Sequence, residues 1–300
     1  MRQLRGVVPP VITPLHADER VDEEALERQL ERLVRAGVHG IFFLGSTGEQ
    51  PALRDSERAR ALRVARRVVA GRVPLIVGTM ASSTARAIDN IRAAEEGGAD
   101  AVAVTPPHYY PSRGEAEQLA HYRACAAATA LPVVIYNIPL TTKVMVAPET
   151  MARIAEIPNV AGVKDSSGDF GHFLQVLQRT HEAVGDRPGF GVLIGSPALA
   201  GAAMLAGADG VVPGIANIDP RTMLNVHAAG VAHNTDALRG LQHRVHRLMS
   251  LLSFGPPIVC IKTALELMGI CSHHAAAPLQ PLPPEKREAI ATGLRELELL

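Results

Sequence analysis

Short apolar runs recur along the chain at nearly even intervals, separated by stretches whose apolar positions repeat with helical spacing. The runs are residues 7–13, 40–44, 74–78, 101–104, 132–136, 160–164, 191–194 and 210–212, which makes eight. They are near-continuous in Val, Ile and Ala, without polar alternation. That pattern fits parallel strands covered on both faces.

Helices fill the gaps. Leu26, Leu30, Leu33 and Val34 share one helical face, with Glu23 and Glu24 in the first turn and Asp22 as the cap. Residues 58–69 and 85–94 behave similarly, the second preceded by Ser82, Ser83 and Thr84 as capping candidates. Gly37, Gly71 and the pair Gly97-Gly98 stand where a left-handed terminating residue is favoured. A strand–helix unit repeated about eight times predicts an α/β fold, a (β/α)₈ TIM barrel. A doubly wound sheet is the competing architecture, but no G-x-G-x-x-G follows the first strand.

Beyond Pro220 the strand signal ends. Residues 221–232, 236–252, 258–268 and 285–297 read as helices separated by Gly, Pro and Ser breaks. The division expected is a barrel over 1–220 that carries the active site, with a helical appendage over 221–300 packed on it.

Composition narrows the function. Lys+Arg and Asp+Glu both total 30, so no net field recommends nucleic acid or an anionic membrane as partner. Aromatics make up 3% of the chain and Trp is absent, which argues against a base-stacking surface. Cys125, Cys260 and Cys271 are odd in number and widely spaced, which suggests a reducing compartment and no structural zinc. The amino terminus passes into a strand-like run without a signal-peptide core, and the apolar stretch 198–208 is too short to span a bilayer. The expectation is a cytoplasmic enzyme.

In a barrel of this kind chemistry sits where strands end. The sixth run ends abruptly in Lys164, followed by Asp165-Ser166-Ser167-Gly168-Asp169. An amine there is desolvated by its apolar neighbours, which raises its neutral fraction and allows attack on a ketone. The plainer reading is a lysine that snorkels to water or pairs with Asp165. After the second run, Gly45-Ser46-Thr47-Gly48-Glu49 offers two hydroxyls between glycines, either an anion nest or an ordinary capping turn. The fifth run ends in Tyr136-Asn137-Ile138-Pro139, where a phenol either relays protons or bonds a carbonyl. The fourth opens into the stiff loop Thr105-Pro106-Pro107-His108-Tyr109-Tyr110-Pro111. Elsewhere, His243, His246, His273 and His274 lack a convincing ligand set, Cys125 reads as core, and the arginine-rich stretch 54–67 reads as a solvated face with Asp55 and Glu57.

Together the Gly45–Glu49 loop, Tyr136-Asn137-Ile138-Pro139, Gly162-Val163-Lys164-Asp165 and the 28-residue step from Tyr136 to Lys164 resemble one family over the whole length. It is the dihydrodipicolinate synthase/N-acetylneuraminate lyase family of pyruvate-dependent class I aldolases. The resemblance implies that Lys164 forms the Schiff base and that Tyr136 is the phenol over the imine. It implies that Ser46 and Thr47, with Gly48, hold the keto-acid carboxylate, and that Thr47 relays protons between Tyr136 and a tyrosine of a neighbouring subunit. Tyr109 is the favoured candidate for that tyrosine, then Tyr110, with His108 as a replacement. Val212 falls where the family lines the pyruvate methyl pocket.

Departures from the family pattern bear on substrate. Thr141 stands where dihydrodipicolinate-forming members carry an arginine, and Lys143 is a substitute source of charge. Gly195-Ser196-Pro197-Ala198 lacks the carboxylates by which sialic acid lyases hold sugar hydroxyls. What remains, including Ser166 and Ser167, resembles aldolases for 2-keto-3-deoxy sugar acids or other 4-hydroxy-2-oxo acids. The expectation is a lyase that interconverts such an acid with pyruvate and an aldehyde, needing no metal or other cofactor, as a homotetramer of tight dimers. Dihydrodipicolinate synthesis and non-catalytic keto-acid binding are the rivals.

Overall fold

The apolar runs pair side by side, all in parallel, in the order β1-β8-β7-β6-β5-β4-β3-β2. A computed structural model describes residues 4–112, 114–185 and 187–300. Part of the amino-terminal stretch read above, residues 1–3, lies outside them. The first half runs β1 (Gly6–Val7), α1 (Glu23–Ala36), β2 (Ile41–Phe43), α2 (Asp55–Val69), β3 (Leu75–Gly78), α3 (Thr84–Glu96), β4 (Ala101–Val104) and α4 (Glu115–Ala127). Then follow β5 (Val133–Asn137), α5 (Pro139–Thr142), α6 (Pro148–Ala155), β6 (Val160–Asp165), α7 (Phe170–Val184), β7 (Gly191–Ile194), α8 (Ala200–Leu205) and β8 (Gly210–Val211). The eight strands curl on themselves. The Phe42 N–H donates to Pro9 O and the Val11 N–H to Phe42 O, both at 2.9 Å, so β2 meets the chain just after β1. The architecture is the TIM-barrel type predicted from the alternation.

The first strand is shorter than the 7–13 run because Pro9 and Pro10 bring no N–H to the ladder. Only the bridge Pro10–Phe42 continues the pairing. Where the sequence offers full capping chemistry, expectation and structure agree. Asp22 accepts the Ala25 N–H at 3.0 Å, and Gly37 ends α1 in the left-handed conformation (φ 91°). Ser83 is the residue that caps α3. Leu26, Leu30 and Leu33 of α1 are fully buried, each contributing about 1.5–3 kcal/mol relative to exposure. In α2 the solvated face is narrower than expected. Glu57 is buried, and its Oε2 accepts the Val21 N–H at 2.8 Å.

Successive strand residues face opposite sides. Phe42, Ile76, Val134, Tyr136, Leu193 and Val212 belong to the apolar cluster inside the barrel. Val133, Ile135, Val163 and Ile194 join the larger core between strands and helices. Four further helices follow β8: α9 (Pro220–Val231), α10 (Thr235–Ser250), α11 (Pro257–Leu267) and α12 (Pro284–Glu296). Pro220, Pro257 and Pro284 each occupy a first helical position, where a missing N–H costs nothing. Arg244 of α10 ties the group together, donating to Asp219 Oδ2 and to Leu297 O at 3.0 Å each. Among the described residues no single helix is long and apolar enough to cross a membrane.

Candidate active site

Tyr136 and Lys164 sit at matching heights on β5 and β6, both pointing into the barrel. The ladder between these strands shifts by one residue near its start. Val133 pairs with Val160, but Val134 pairs with Gly162, and Tyr136 consequently pairs with Lys164. Lys164 Nζ lies 3.9 Å from the centroid of the Tyr136 ring and 4.1 Å from that of Phe42. The residue is only 6% exposed. Burial among these groups holds the amine well below the ordinary lysine value of 10.5. Lys164 makes no ion pair with Asp165, whose side chain leaves the opposite face of the strand. Asp165 accepts from Asn137 Nδ2 and from Ser167 Oγ, both at 2.6 Å, beside His172 Nε2 at 3.7 Å. The buried amine is therefore not snorkelling, and among the described residues it is not charge-paired.

The Tyr136 phenol exchanges a hydrogen bond with Ser46 Oγ at 3.3 Å, and its ring meets Phe42 edge-on at 5.5 Å. Burial pushes the phenol up to about 12, against the opposing pull of its bonds from Ser46 and Ser166. Ser166 has room because residue 195 is glycine: a Cβ there would lie 2.1 Å from Ser166 Oγ. The hydroxyl assigned as relay by the resemblance was that of Thr47. The geometry differs: among the described residues Thr47 makes no hydrogen bond to Tyr136, and its Oγ1 lies toward Gly214 instead.

The turn that carries Ser46 and Thr47 is also the candidate anion nest. The N–H groups of Thr47 and Gly48 find no acceptor among the described residues, while Thr13 Oγ1 donates to Gly48 O at 2.8 Å and steadies the loop. Gly48 cannot carry a side chain, because a Cβ would come within 2.9 Å of Val11 O. Val212 is buried and shares a small apolar cavity with Lys164, Phe42 and Leu193.

Ser46 opens onto a larger cavity of about 330 Å³, whose walls include Met80, Thr105, His108, Thr141 and residues 276–279. That volume falls at the lower end of small-molecule sites. Lys143 does not line it. The Lys143 side chain is turned back on its own loop, donating to Leu140 O at 2.7 Å, so it does not replace the missing arginine. Tyr109 and Tyr110 are not brought to the site of their own chain. They are 80% and 78% exposed and pack edge-on against each other at 5.0 Å.

Two groups that sequence reading did not single out border the site. Phe42 forms one wall of the amine pocket, and nothing local marks it, because β2 is apolar and buried at all of Ile41, Phe42 and Phe43. The buried pair Glu49–Lys262 joins the nest to α11, and no local pattern marks it.

The chain matches the profile of the Dihydrodipicolinate synthetase family over residues 3–297. It is 37% identical to an uncharacterized DapA-like lyase of Halobacterium salinarum over 297 residues, covering 99% of this chain and 95% of that one. Among solved structures, dihydrodipicolinate synthase from Thermotoga maritima superposes with a TM-score of 0.94 at 31% identity, with all of both chains covered. A prophage protein of Escherichia coli K12, belonging to the dihydrodipicolinic acid synthase family and solved in complex with pyruvate, gives a TM-score of 0.92 at 29% identity over 99% of each chain. The chain belongs to the Dihydrodipicolinate synthetase family of lyases.

Proposed function

We propose that this lyase is a class I aldolase that joins pyruvate to an aldehyde, or cleaves a 4-hydroxy-2-oxo acid, through a Schiff base on Lys164. The observation that carries the reading is the buried, unpaired amine of Lys164 held 3.9 Å from the ring of a buried tyrosine, with burial lowering its proton affinity. The pyruvate complex of the related prophage protein supports the same substrate.

The chemistry follows from the groups. Thr47 and Gly48 N–H groups, with the hydroxyls of Ser46 and Thr47, take the carboxylate and hold the keto carbon near the amine. The free amine of Lys164 adds to that carbon, and loss of water leaves an iminium. The iminium draws electrons from the adjacent methyl, which packs against Val212, and a proton leaves through Tyr136 to give an enamine. The enamine carbon bonds to the aldehyde carbon, whose oxygen collects a proton. Water then adds to the iminium and releases the product and the amine. The iminium is the electron sink, so this reading assigns no metal or organic cofactor.

In this reading residues 1–220 supply the site, and the helices over 221–300 shape its mouth. The exposed Tyr109–Tyr110 pair belongs to a subunit contact, which makes the protein a homo-oligomer of tight dimers, a tetramer when two dimers join. Three free, buried cysteines fit a reducing cytoplasm as its compartment in this reading.

Synthesis of 4-hydroxy-tetrahydrodipicolinate is the second reading, favoured by the similarity to the Thermotoga enzyme. Thr141 weighs against it, because among the described residues no Lys or Arg lines that wall of the cavity to meet the second substrate's carboxylate. Incubation with pyruvate and borohydride, followed by intact mass and peptide mapping, tests the proposal. A single reduced adduct on Lys164 is expected. An adduct elsewhere, or none at saturating pyruvate, overturns it.

A further inference from the structure

The turn from Ser46 to Glu49 is poorly held by its own backbone. Glu49 N–H reaches Ser46 O at 3.1 Å, and Gln50 N–H reaches Gly45 O only at 3.4 Å. Glu49 itself sits at a left-handed φ of 59°, a conformation that persists only where surroundings impose it. What imposes it is the Glu49 side chain. It leaves the turn and enters the interior, where its Oε2 accepts the Ala276 N–H at 2.7 Å and its Oε1 pairs with the Lys262 ammonium. Lys262 in turn donates to His274 O at 2.7 Å. The two side chains are 2% and 0% exposed.

A buried ion pair is seldom the most stable filling for its space, since apolar residues of the same volume often do as well. Its advantage is geometric: charges and hydrogen bonds fix distance and direction. Here every bond runs from the nest to α11 or the segment behind it. Neither residue contacts Lys164 or Tyr136 among the described residues.

We propose that Glu49 and Lys262 are a positioning pair that sets the Ser46–Gly48 nest for the keto-acid carboxylate, making keto-acid affinity depend on the C-terminal helices. The inference rests on the proposed keto-acid site. Pyruvate affinity and the rate of imine formation should then respond separately. The rate of borohydride trapping is measured against pyruvate concentration for the wild type, Lys262→Met, Glu49→Gln and the double variant.

Each single variant is expected to raise the half-saturating pyruvate concentration by about tenfold or more, while the rate at saturation per folded molecule changes by less than about threefold. The double variant leaves no unpaired buried charge, so it folds even where a single variant does not. It is expected to keep the raised half-saturation. A double variant that returns to the wild-type half-saturation would show that the pair merely balances charge. Unchanged half-saturation in folded single variants overturns the proposal equally. Failure of the wild type itself to trap pyruvate would instead remove the underlying site.

Discussion

Tyr136 stands directly opposite Lys164 across the β5–β6 ladder because one extra residue, Ala161, is accommodated between Val160 and Gly162. Without that bulge Tyr136 would face Val163, and every later side chain of β6 would change faces. Lys164 would then point into the helical layer and Asp165 into the barrel. The extra residue thus decides whether the chain presents an amine or a carboxylate beneath the phenol. On its other side β6 meets β7 glycine to glycine, and a Cβ on Gly162 would lie 2.2 Å from Gly191 O.

The first prediction concerns the phenol. Tyr136→Phe keeps the ring, its edge-on contact with Phe42 and its cover over Lys164, and removes only the hydroxyl that Ser46 meets. Turnover should fall by roughly two to four decades, the usual contribution of a positioned acid–base group, with the melting temperature nearly unchanged. Steady-state kinetics beside a thermal melt decide it. Near wild-type turnover would reduce Tyr136 to a packing residue.

Lys164 also carries a stability signature. Its folded value lies well below 10.5 because burial disfavours the ammonium. Between the two values the unfolded chain binds a proton that the folded chain does not, so stability rises with pH across that window. Below the folded value the penalty is present in full, and above 10.5 it vanishes. Lys164→Met fills the pocket without a titratable group. It should therefore melt higher than the wild type at neutral pH, by about 2–4 °C for each kcal/mol regained. The advantage should shrink as pH approaches 10.5. Melts across that range are the check, and an advantage that grows with pH would contradict the assigned burial effect.

How far these features could be read from the sequence follows from how local their causes are. Lys164 and Tyr136 are visible because each ends an apolar run, and that pattern lies within a few residues. The helix starts at Pro220, Pro257 and Pro284 fall one residue earlier than the apolar periodicity suggests, because Pro suits the first turn without adding to the periodic face. The bulge at Ala161 is invisible, since register depends on the partner strand. Ser46 and Thr47 are adjacent hydroxyls, and which of them meets the phenol depends on how the turn packs against β5, which no local pattern shows. Lys262 lies far along the chain from Glu49, within a mostly apolar helix that also carries Glu266. Only tertiary packing reveals their pairing.

The next prediction follows from Thr141. Its hydroxyl bonds its own loop at Ile138 O, and Lys143 is turned away from the cavity. Aspartate semialdehyde should therefore be a poorer partner for pyruvate than an aldehyde without a carboxylate. Thr141→Arg should improve the specificity constant for the semialdehyde by about tenfold or more, the worth of one charge-assisted hydrogen bond. Side-by-side condensation kinetics test both statements. A wild type that already prefers the semialdehyde would reverse the ranking of the two proposed reactions.

The last prediction concerns the exposed tyrosines. Tyr109 adopts a left-handed φ of 78° that holds its ring out from the barrel mouth against Tyr110. Two large aromatic rings left in water are expensive unless a partner covers them, and a two-fold contact would let each subunit lend its loop to the other. Behind the same loop His108 lines the cavity onto which Ser46 opens, so the neighbour's Tyr109 would arrive beside the hydroxyl that meets Tyr136. Lys164→Ala and Tyr109→Phe proteins should each be nearly inactive alone. After mixing in equal amounts and exchanging subunits, half of the dimers are hybrids, and each hybrid contains one site with both residues intact. About one site in four should then regain full activity. Proven hybrids without recovered turnover would place Tyr109 outside the reaction, leaving the contact to hold the subunits together and nothing more.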